Sequence, residues 1–371
     1  MNNIFKKLKS NYKNSAEVSN KIFFLIDKLA NATNLEKDEF LYIIENITKE
    51  ETNYLYDKAY EVKHLYYQNR VFLRGLVEIS NYCKMGCKYC GINYTSEGVD
   101  RYRLTIDEIF RCCEVGYELG YKTFVLQGGE DPYYTDGLLV KMLKRIKSKY
   151  PDVRITLSIG ERSKESYQKI FDAGADRYLL RHESASRRLY EHVHPDFMSF
   201  DNRRKCLSNL KEIGFQVGAG LMVGLPTQNN EDLVEDLVFL KELQPEMIGI
   251  GPYLCHENTE LKGNDSGTVE ETLIMVALIR LVLPKTLLPA TTALGTLEEL
   301  GRERALKAGA NVMMPNISPE ENIVKYEIYQ NKICATETGD KYRDHLEERV
   351  INVGHKIDYG VGDYIDFERK E

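Results

Sequence analysis

What the chain lacks narrows it first. Positive charge is not in excess: 50 Lys and Arg stand against 57 Asp and Glu, so nothing pulls the protein as a whole toward nucleic acid. No long uninterrupted apolar run occurs. The most apolar long stretch, 272–288, contains Arg280, Pro284 and Lys285, which excludes a membrane span. The N-terminal MNNIFKKLKSNYKNS is polar and basic with no apolar core behind it, so it does not read as a secretory signal. A disulfide framework is missing as well. Cys112, Cys113, Cys206, Cys255 and Cys334 are scattered, as a reducing cytoplasm would allow, and Cys112–Cys113 reads as core packing. Among His182, His192, His194 and His256 no i, i+4 metal pair falls on a clear helix. What remains is an ordinary globular composition, 43% hydrophobic and 29% charged, in a chain long enough for one large α/β domain or two average ones.

One stretch stands out from that background. Residues 76–91, LVEISNYCKMGCKYCG, read as a strand running into a loop with Cys83, Cys87 and Cys90 at C-x₃-C-x₂-C spacing. Structural zinc takes four ligands, and no nearby Cys or His completes the set. Iron–sulfur cubanes are also held by thiolates, normally four. Three cysteines on one loop grip such a cluster at three corners and leave the last iron open to a small molecule.

The rest of the chain frames that loop. Residues 22–69 are helical, with Ile22, Phe23, Leu25, Ile26 and Leu29 on one face and further helices over 37–47 and 50–67. From Val71 onward, short β-branched or apolar runs alternate with helices. The expected strands are 71–79, 122–127, 154–159, 176–181, 215–223, 247–251, 287–292 and 311–315. Four helices end in a glycine that leads directly into a strand: Gly120, Gly174, Gly214 and Gly309. Capping boxes are expected at Thr105/Glu108, Thr268/Glu271 and Thr296/Glu299. This alternation predicts an α/β fold, a complete (β/α)₈ TIM-type barrel with an N-terminal helical cap; an open doubly wound sheet is the alternative. The expected division is 1–70 for the cap, 71–335 for the barrel and 336–371 for a C-terminal tail.

In such a barrel, function collects where strands end. The second strand ends in Gln127-Gly128-Gly129-Glu130-Asp131, and the third carries Thr156 and Ser158 in an apolar run. Along 176–183, Arg177, Leu179, Arg181 and Glu183 share one face. Two interior arginines need anionic company, either an internal pair with Glu183 or a carboxylate-like ligand. Asp201-Asn202-Arg203-Arg204 opens a helix, 218–226 is rich in small residues, and Thr291 and Thr292 place hydroxyls at the end of the seventh strand. Tyr326 and Tyr329 lie one helical turn apart.

The cysteine spacing, with Tyr89 just before the last cysteine and the GGED turn, resembles the radical S-adenosylmethionine (SAM) superfamily. Further stretches resemble the HydE family of FeFe-hydrogenase maturases, relatives of biotin synthase and methylornithine synthase. They are NYCKMGCKYCGI, RYRLT, TFVLQGGEDPYYTD, ITLSIGE, DRYLLRHE, GAGLMVGLP, MIGIGPY, LPATTALGTL and AGANVMMPN, spanning about 28–332. The resemblance implies a 4Fe–4S cluster on Cys83, Cys87 and Cys90 at the mouth of a closed barrel, with SAM on its open iron. It implies Gln127, Gly128, Gly129, Glu183 and Arg203 as SAM-holding residues, with Met222, Met247 and Tyr326 near SAM or the cavity. Thr156, Arg177, Arg181, Thr291 and Thr292 match an internal anion site. The implied substrate is an iron–dicarbonyl–cyanide complex of cysteine. The implied partners are other hydrogenase maturases and an electron donor, in an anaerobic cytoplasm, with no nucleic acid or membrane.

Two departures accompany the match. The superfamily string G-x-I-x-G-x-x-E reads Gly220-x-Met222-x-Gly224-x-x-Thr227 here. After the eighth strand only Cys334 is present, so no second cluster is expected, and the cysteine set of biotin synthase's auxiliary cluster is missing. The rival readings are a biotin synthase- or methylornithine synthase-like enzyme acting on a small carboxylate, and a non-catalytic iron–sulfur scaffold.

Overall fold

The computed structural model describes residues 15–333 and 340–368. Three helices come first: α1 (Ser15–Ala30), α2 (Lys37–Asn46) and α3 (Lys49–Tyr67). The expected apolar face of α1 is buried through Ile22, Leu25, Ile26 and Leu29, while Phe23 is half-buried and meets the Tyr54 ring edge-on at 5.0 Å. Helix α3 opens on a capping box between Thr48 and Glu51 and packs on the almost wholly buried helix Val269–Val282.

The expected first strand is two strands, β1 (Arg70–Leu73) and β2 (Gly75–Ser80). At Arg74 one edge of the chain changes partners, from residues 356–358 to residues 124–128, while the other edge stays on one segment: Arg74 N–H donates to Met313 O at 3.0 Å, and Leu76 N–H to Pro315 O at 2.8 Å. The break falls at Arg74-Gly75, which interrupt the apolar run and which the expected single strand over 71–79 ran across. The central sheet then continues through β3 (Thr123–Gly128), β4 (Arg154–Ser158), β5 (Arg177–Leu179), β6 (Gln216–Val223) and β7 (Met247–Pro252). These six strands, β2 to β7, lie in sequential order and all neighbours are parallel. Helices supply the crossovers. Gly120, Gly174, Gly214 and Gly309 all take left-handed φ values (89°, 109°, 107° and 110°), so each turns its chain into the next segment as expected.

The closing strands differ from expectation. Residues 287–292 form no strand; they contribute single bridges, Met247 to Leu287 and Pro289 to Val312. Pro289 has no N–H to extend a ladder, and Thr291 already caps the short helix Thr292–Leu297. The eighth strand shrinks to β8 (Val312–Met313), with a further bridge from Asn316 to Leu76. The architecture is therefore α/β with a six-stranded parallel sheet, rather than an eight-stranded ladder. The Thr105/Glu108 box forms as expected. Thr296 instead lies inside a helix and donates to Thr292 O at 3.1 Å, so it caps nothing.

The C-terminal residues are built into the molecule. Helix Asp340–Asn352 leads to β9 (Lys356–Asp358), which pairs with β1 to complete a three-stranded sheet in the order β8-β1-β9. Residues 361–364 then pass beneath the N-terminal ends of the central strands.

Candidate active site

The cysteine loop leaves the C-terminal end of β2 and is held by backbone contacts at both ends. The Arg101 guanidinium donates to Ile92 O at 2.7 Å, to Asn93 O at 2.6 Å and to Asn81 O. Asn93 Nδ2 donates to Cys87 O at 3.1 Å. Gly91 has no room for a side chain, since a Cβ there would lie 2.3 Å from Glu327 O. Cys83, Cys87 and Cys90 are free and half-buried. Backbone N–H groups of Met85 and Glu130 each donate to Cys83 Sγ at 3.4 Å. Burial raises all three thiol pKa values, that of Cys87 to about 12; Arg203 works against the rise at Cys87, and neighbouring thiols add to it at Cys87 and Cys90.

The Gly128-Gly129-Glu130-Asp131 turn, at the end of β3, is laced onto this loop. Gly129 N–H donates to Ser80 O at 3.0 Å, and a Cβ on Gly129 would sit 2.2 Å from Tyr82 O and 2.7 Å from the Cys83 Cβ. Lys84 N–H donates to Glu130 O at 3.0 Å, and the Lys84 ammonium pairs with the Glu130 carboxylate at 3.0 Å. Buried Asp131 accepts from Ser80 Oγ (2.7 Å) and takes Arg103 in a fork at 2.8 and 3.0 Å. Arg103 in turn lies over the Tyr82 ring, 3.8 Å from its centroid.

Around the loop stand several of the expected residues. Glu183, just past β5, is one of few non-glycine residues with positive φ (64°), a conformation that has to be held by its surroundings. Its N–H donates to Gly220 O at 2.9 Å, and its carboxylate lies 3.2 Å from the Arg181 guanidinium. Arg181 donates to Leu221 O at 2.7 Å, while its Nε is buried without a hydrogen-bond partner. Arg203 turns inward to pair with Glu161 at 2.7 Å, whereas Arg204 packs over the rings of Phe200 and Phe239 at 4.6 and 4.5 Å. Burial opposes the charge on Arg203, but Tyr190 and Glu161 outweigh it and raise its pKa. Tyr89 OH meets His194 Nε2 at 3.1 Å, and burial lowers the His194 pKa to about 3, so that ring is neutral. Met222 packs with Tyr253, Leu225 and, at the cluster's edge, Tyr89. Gln127 Nε2 donates to Tyr326 OH at 3.4 Å. Thr291 Oγ1 is buried and unpartnered, close to Gly251, and Thr292 is half-buried.

Thr156, Arg177 and Met247 are not part of this gathering. Arg177 and Met247 are the first residues of their strands, and Thr156 pairs in register with Arg177. Arg177 meets Asp363 at 2.7 Å and also donates to the carbonyls of Val361 (2.8 Å) and Gly362 (3.0 Å). Arg154 (3.0 Å) and Gln216 Nε2 (2.6 Å) converge on the same carboxylate. Met247 Sδ accepts from fully buried Arg74 at 2.7 Å. The cavity between Arg74, Thr156, Arg177 and Met247 measures about 10 Å³, room for about one water.

Among the described residues, no three His, Cys, Asp or Glu side chains are preassembled as a finished metal cage. The donor set still suits an iron–sulfur cluster: three thiols on one short loop shift each other electrostatically, and two N–H groups point at Cys83 Sγ. Sequence reasoning did not name Tyr190, and it weighed His194 only as a possible metal ligand; Arg101 and Arg103 stood in the RYRLT string and Glu161 in ITLSIGE with no role assigned, because their partners are distant in sequence. Cys334 lies outside the described residues.

Comparison with known proteins settles the family. The Radical SAM superfamily profile matches residues 77–240. The [FeFe] hydrogenase maturase subunit HydE of Thermotoga maritima is 46% identical over 76% of this chain and 80% of its own length. The chain belongs to the HydE family of radical SAM enzymes. As a member of that family it is expected to carry a 4Fe–4S cluster and SAM. A 3-methylornithine synthase of Methanosarcina acetivorans is 29% identical over 81% of this HydE-family chain and 86% of its own. The crystal structure of methylornithine synthase superposes with a TM-score of 0.80 at 28% identity, covering 90% of this chain and 97% of that one. The maturase HydG superposes at 0.78 with 22% identity, over 95% and 78%, which speaks for a shared fold. No helix among the described residues is long and apolar enough to cross a membrane.

Proposed function

We propose that this HydE-family chain cleaves SAM reductively at a 4Fe–4S cluster held by Cys83, Cys87 and Cys90, in maturation of the FeFe-hydrogenase cluster. The observation that carries the reading is the lacing of the GGED turn onto the cysteine loop, which brings two short motifs of separate strands into one backbone cradle. When bound, the cluster and SAM together supply a one-electron cleavage giving methionine and a 5′-deoxyadenosyl radical.

The chain's own work is positioning and charge. Gly128 and Gly129 offer carbonyls to the SAM ammonium group, and Gln127 and Tyr326 stand beside them. Glu183 accepts from ribose hydroxyls, its backbone set by the Gly220 carbonyl. Arg203, aimed inward by Glu161, takes the SAM carboxylate. Met222 contributes an apolar wall. The second substrate is anionic, an iron–dicarbonyl–cyanide complex of cysteine, and Arg181, Thr291 and Thr292 face it. Thr156, Arg177 and Met247 form the deeper end of that interior, where Asp363 already supplies the counter-charge. The bridges at Leu287, Pro289 and Asn316 support closure of the six strands into a complete barrel, with 15–70 as its cap and residues 361–364 running beneath it. The partners are other hydrogenase maturases and a one-electron donor, in a reducing, oxygen-poor cytoplasm. One cluster is sufficient for this reading.

Anaerobically reconstituted protein with dithionite is expected to convert SAM to methionine and 5′-deoxyadenosine. Cys83→Ser, Cys87→Ser or Cys90→Ser is expected to abolish both products; normal turnover in any of them would refute the assignment. The similarity to methylornithine synthase, at near-complete coverage, favours one second reading: the same radical chemistry on a small carboxylate. A maturation assay lacking this chain separates the two, and absence of SAM cleavage would leave a non-catalytic iron–sulfur scaffold.

A further inference from the structure

Segment 324–333 crosses the C-terminal ends of the strands and is tied to the site along its length. Asn81 Nδ2 donates to Lys325 O at 2.8 Å. Tyr326 OH accepts from Gln127 Nε2, and Ile328 O accepts from Gly91 N–H at 3.0 Å, directly beside Cys90. At the far end Lys332 forms an ion pair with Glu78. Both of these side chains are deeply buried, Glu78 at 1% and Lys332 at 6% exposure. Lys332 also donates to Tyr326 O at 2.9 Å and stands 4.9 Å from the centre of the Tyr326 ring. Glu78 lies opposite Gln127 in the β2–β3 register, so Gln127 holds the Tyr326 hydroxyl while its neighbour Glu78 holds the lysine that is bonded to the Tyr326 carbonyl.

The physics of this pair differs from that of the other ties. The Asn81, Gln127 and Gly91 contacts are neutral hydrogen bonds, which water can replace when the segment lifts. A buried ammonium and a buried carboxylate cannot part without stranding a charge in a poorly solvated place. The pair therefore makes opening of the segment far less favourable than its hydrogen bonds would.

We propose that Glu78 and Lys332 form a latch that fixes segment 324–333 over the cysteine loop and holds Tyr326 against Gln127, making both positioning residues for the cofactor site. The consequence for SAM rests on the function proposed above; the fastening of the segment does not.

Hydrogen exchange of the metal-free, full-length protein tests the fastening, with residues 359–364 as the internal control. Lys332→Met and Glu78→Gln are each expected to speed exchange in 324–333 and 88–93 by about tenfold or more, leaving 359–364 unchanged. Lys332→Arg should keep the original rates. The double variant Glu78→Gln/Lys332→Met should be no worse than either single change, because neither charge is then stranded. In reconstituted protein, the SAM-dependent change in the cluster's EPR signal should need about tenfold more SAM in both single variants. Unchanged exchange in 324–333, equal loosening of 359–364, or loosening with unaltered SAM affinity would overturn the proposal. Wild-type protein with no SAM response would sink the cofactor reading instead, and the exchange pattern would still decide the fastening.

Discussion

Arg177 and Arg181 lie four residues apart, one opening β5 and the other just past its end, and the two ends of the sheet treat them differently. At the N-terminal ends, Arg177, Arg154 and Gln216 all converge on Asp363, and the adjoining cavity has room for about one water. At the C-terminal ends, Arg181 pairs with Glu183 and donates to Leu221 O, yet among the described residues its buried Nε has no hydrogen-bond partner, and it lies a third exposed. The same residue type is saturated by the chain's own carboxylate and carbonyls at one end and, though paired with Glu183, keeps an unused Nε–H at the other. Interior arginine alone does not mark an anion site; what already faces it decides.

The strongest way to break this contrast is at the mouth. Gly129→Ala pushes a methyl group into Tyr82 O and the Cys83 Cβ. It is expected to lower SAM cleavage at least about a hundredfold while the circular dichroism spectrum is retained. Next comes the opposite end: Asp363→Ala strands Arg177 and should cost about 3 kcal/mol in urea unfolding, with SAM cleavage at native conditions little changed. Adding Arg177→Met should recover part of that loss. Arg181→Gln is expected to change stability by no more than about 0.5 kcal/mol and to leave SAM cleavage intact. It should still reduce conversion of the second substrate about tenfold; equal effects from Arg177→Met and Arg181→Gln on that conversion would erase the distinction.

The smallest effect is in pH dependence. Burial works to raise the Asp363 pKa, but Arg177, Gln216 and Arg154 outweigh it and hold the carboxyl below its usual 3.8. A carboxyl depressed on folding stabilises the protein fully above the unfolded pKa and loses that contribution as pH falls through the folded one. The stability gap between wild type and Asp363→Asn should therefore be constant near neutrality and narrow only below about pH 4. A gap that narrows between pH 8 and 6 would assign the contact to another group.

What could be read from the chain follows the range of each interaction. The cysteine triad and the four left-handed glycines are local patterns, and the structure places the glycines as expected. The split at Arg74 did have a local mark, a charged residue and a glycine between two short apolar runs, which the expectation of one strand over 71–79 passed over. The Thr296/Glu299 spacing looks like a helix start, yet the helix begins earlier, at Thr292. Pro289 was visible, and its missing N–H explains why 287–292 adds bridges instead of a strand. The Asp363 contact has no local signature, since its partner lies 186 residues earlier.

That separation bears on how the molecule is made. A nascent chain must hold Arg177 without its matching carboxylate while helices and strands between them emerge from the ribosome. The underside of the sheet is thus among the last parts to be sealed, and a product truncated before residue 363 would carry an unneutralised guanidinium into an otherwise finished core.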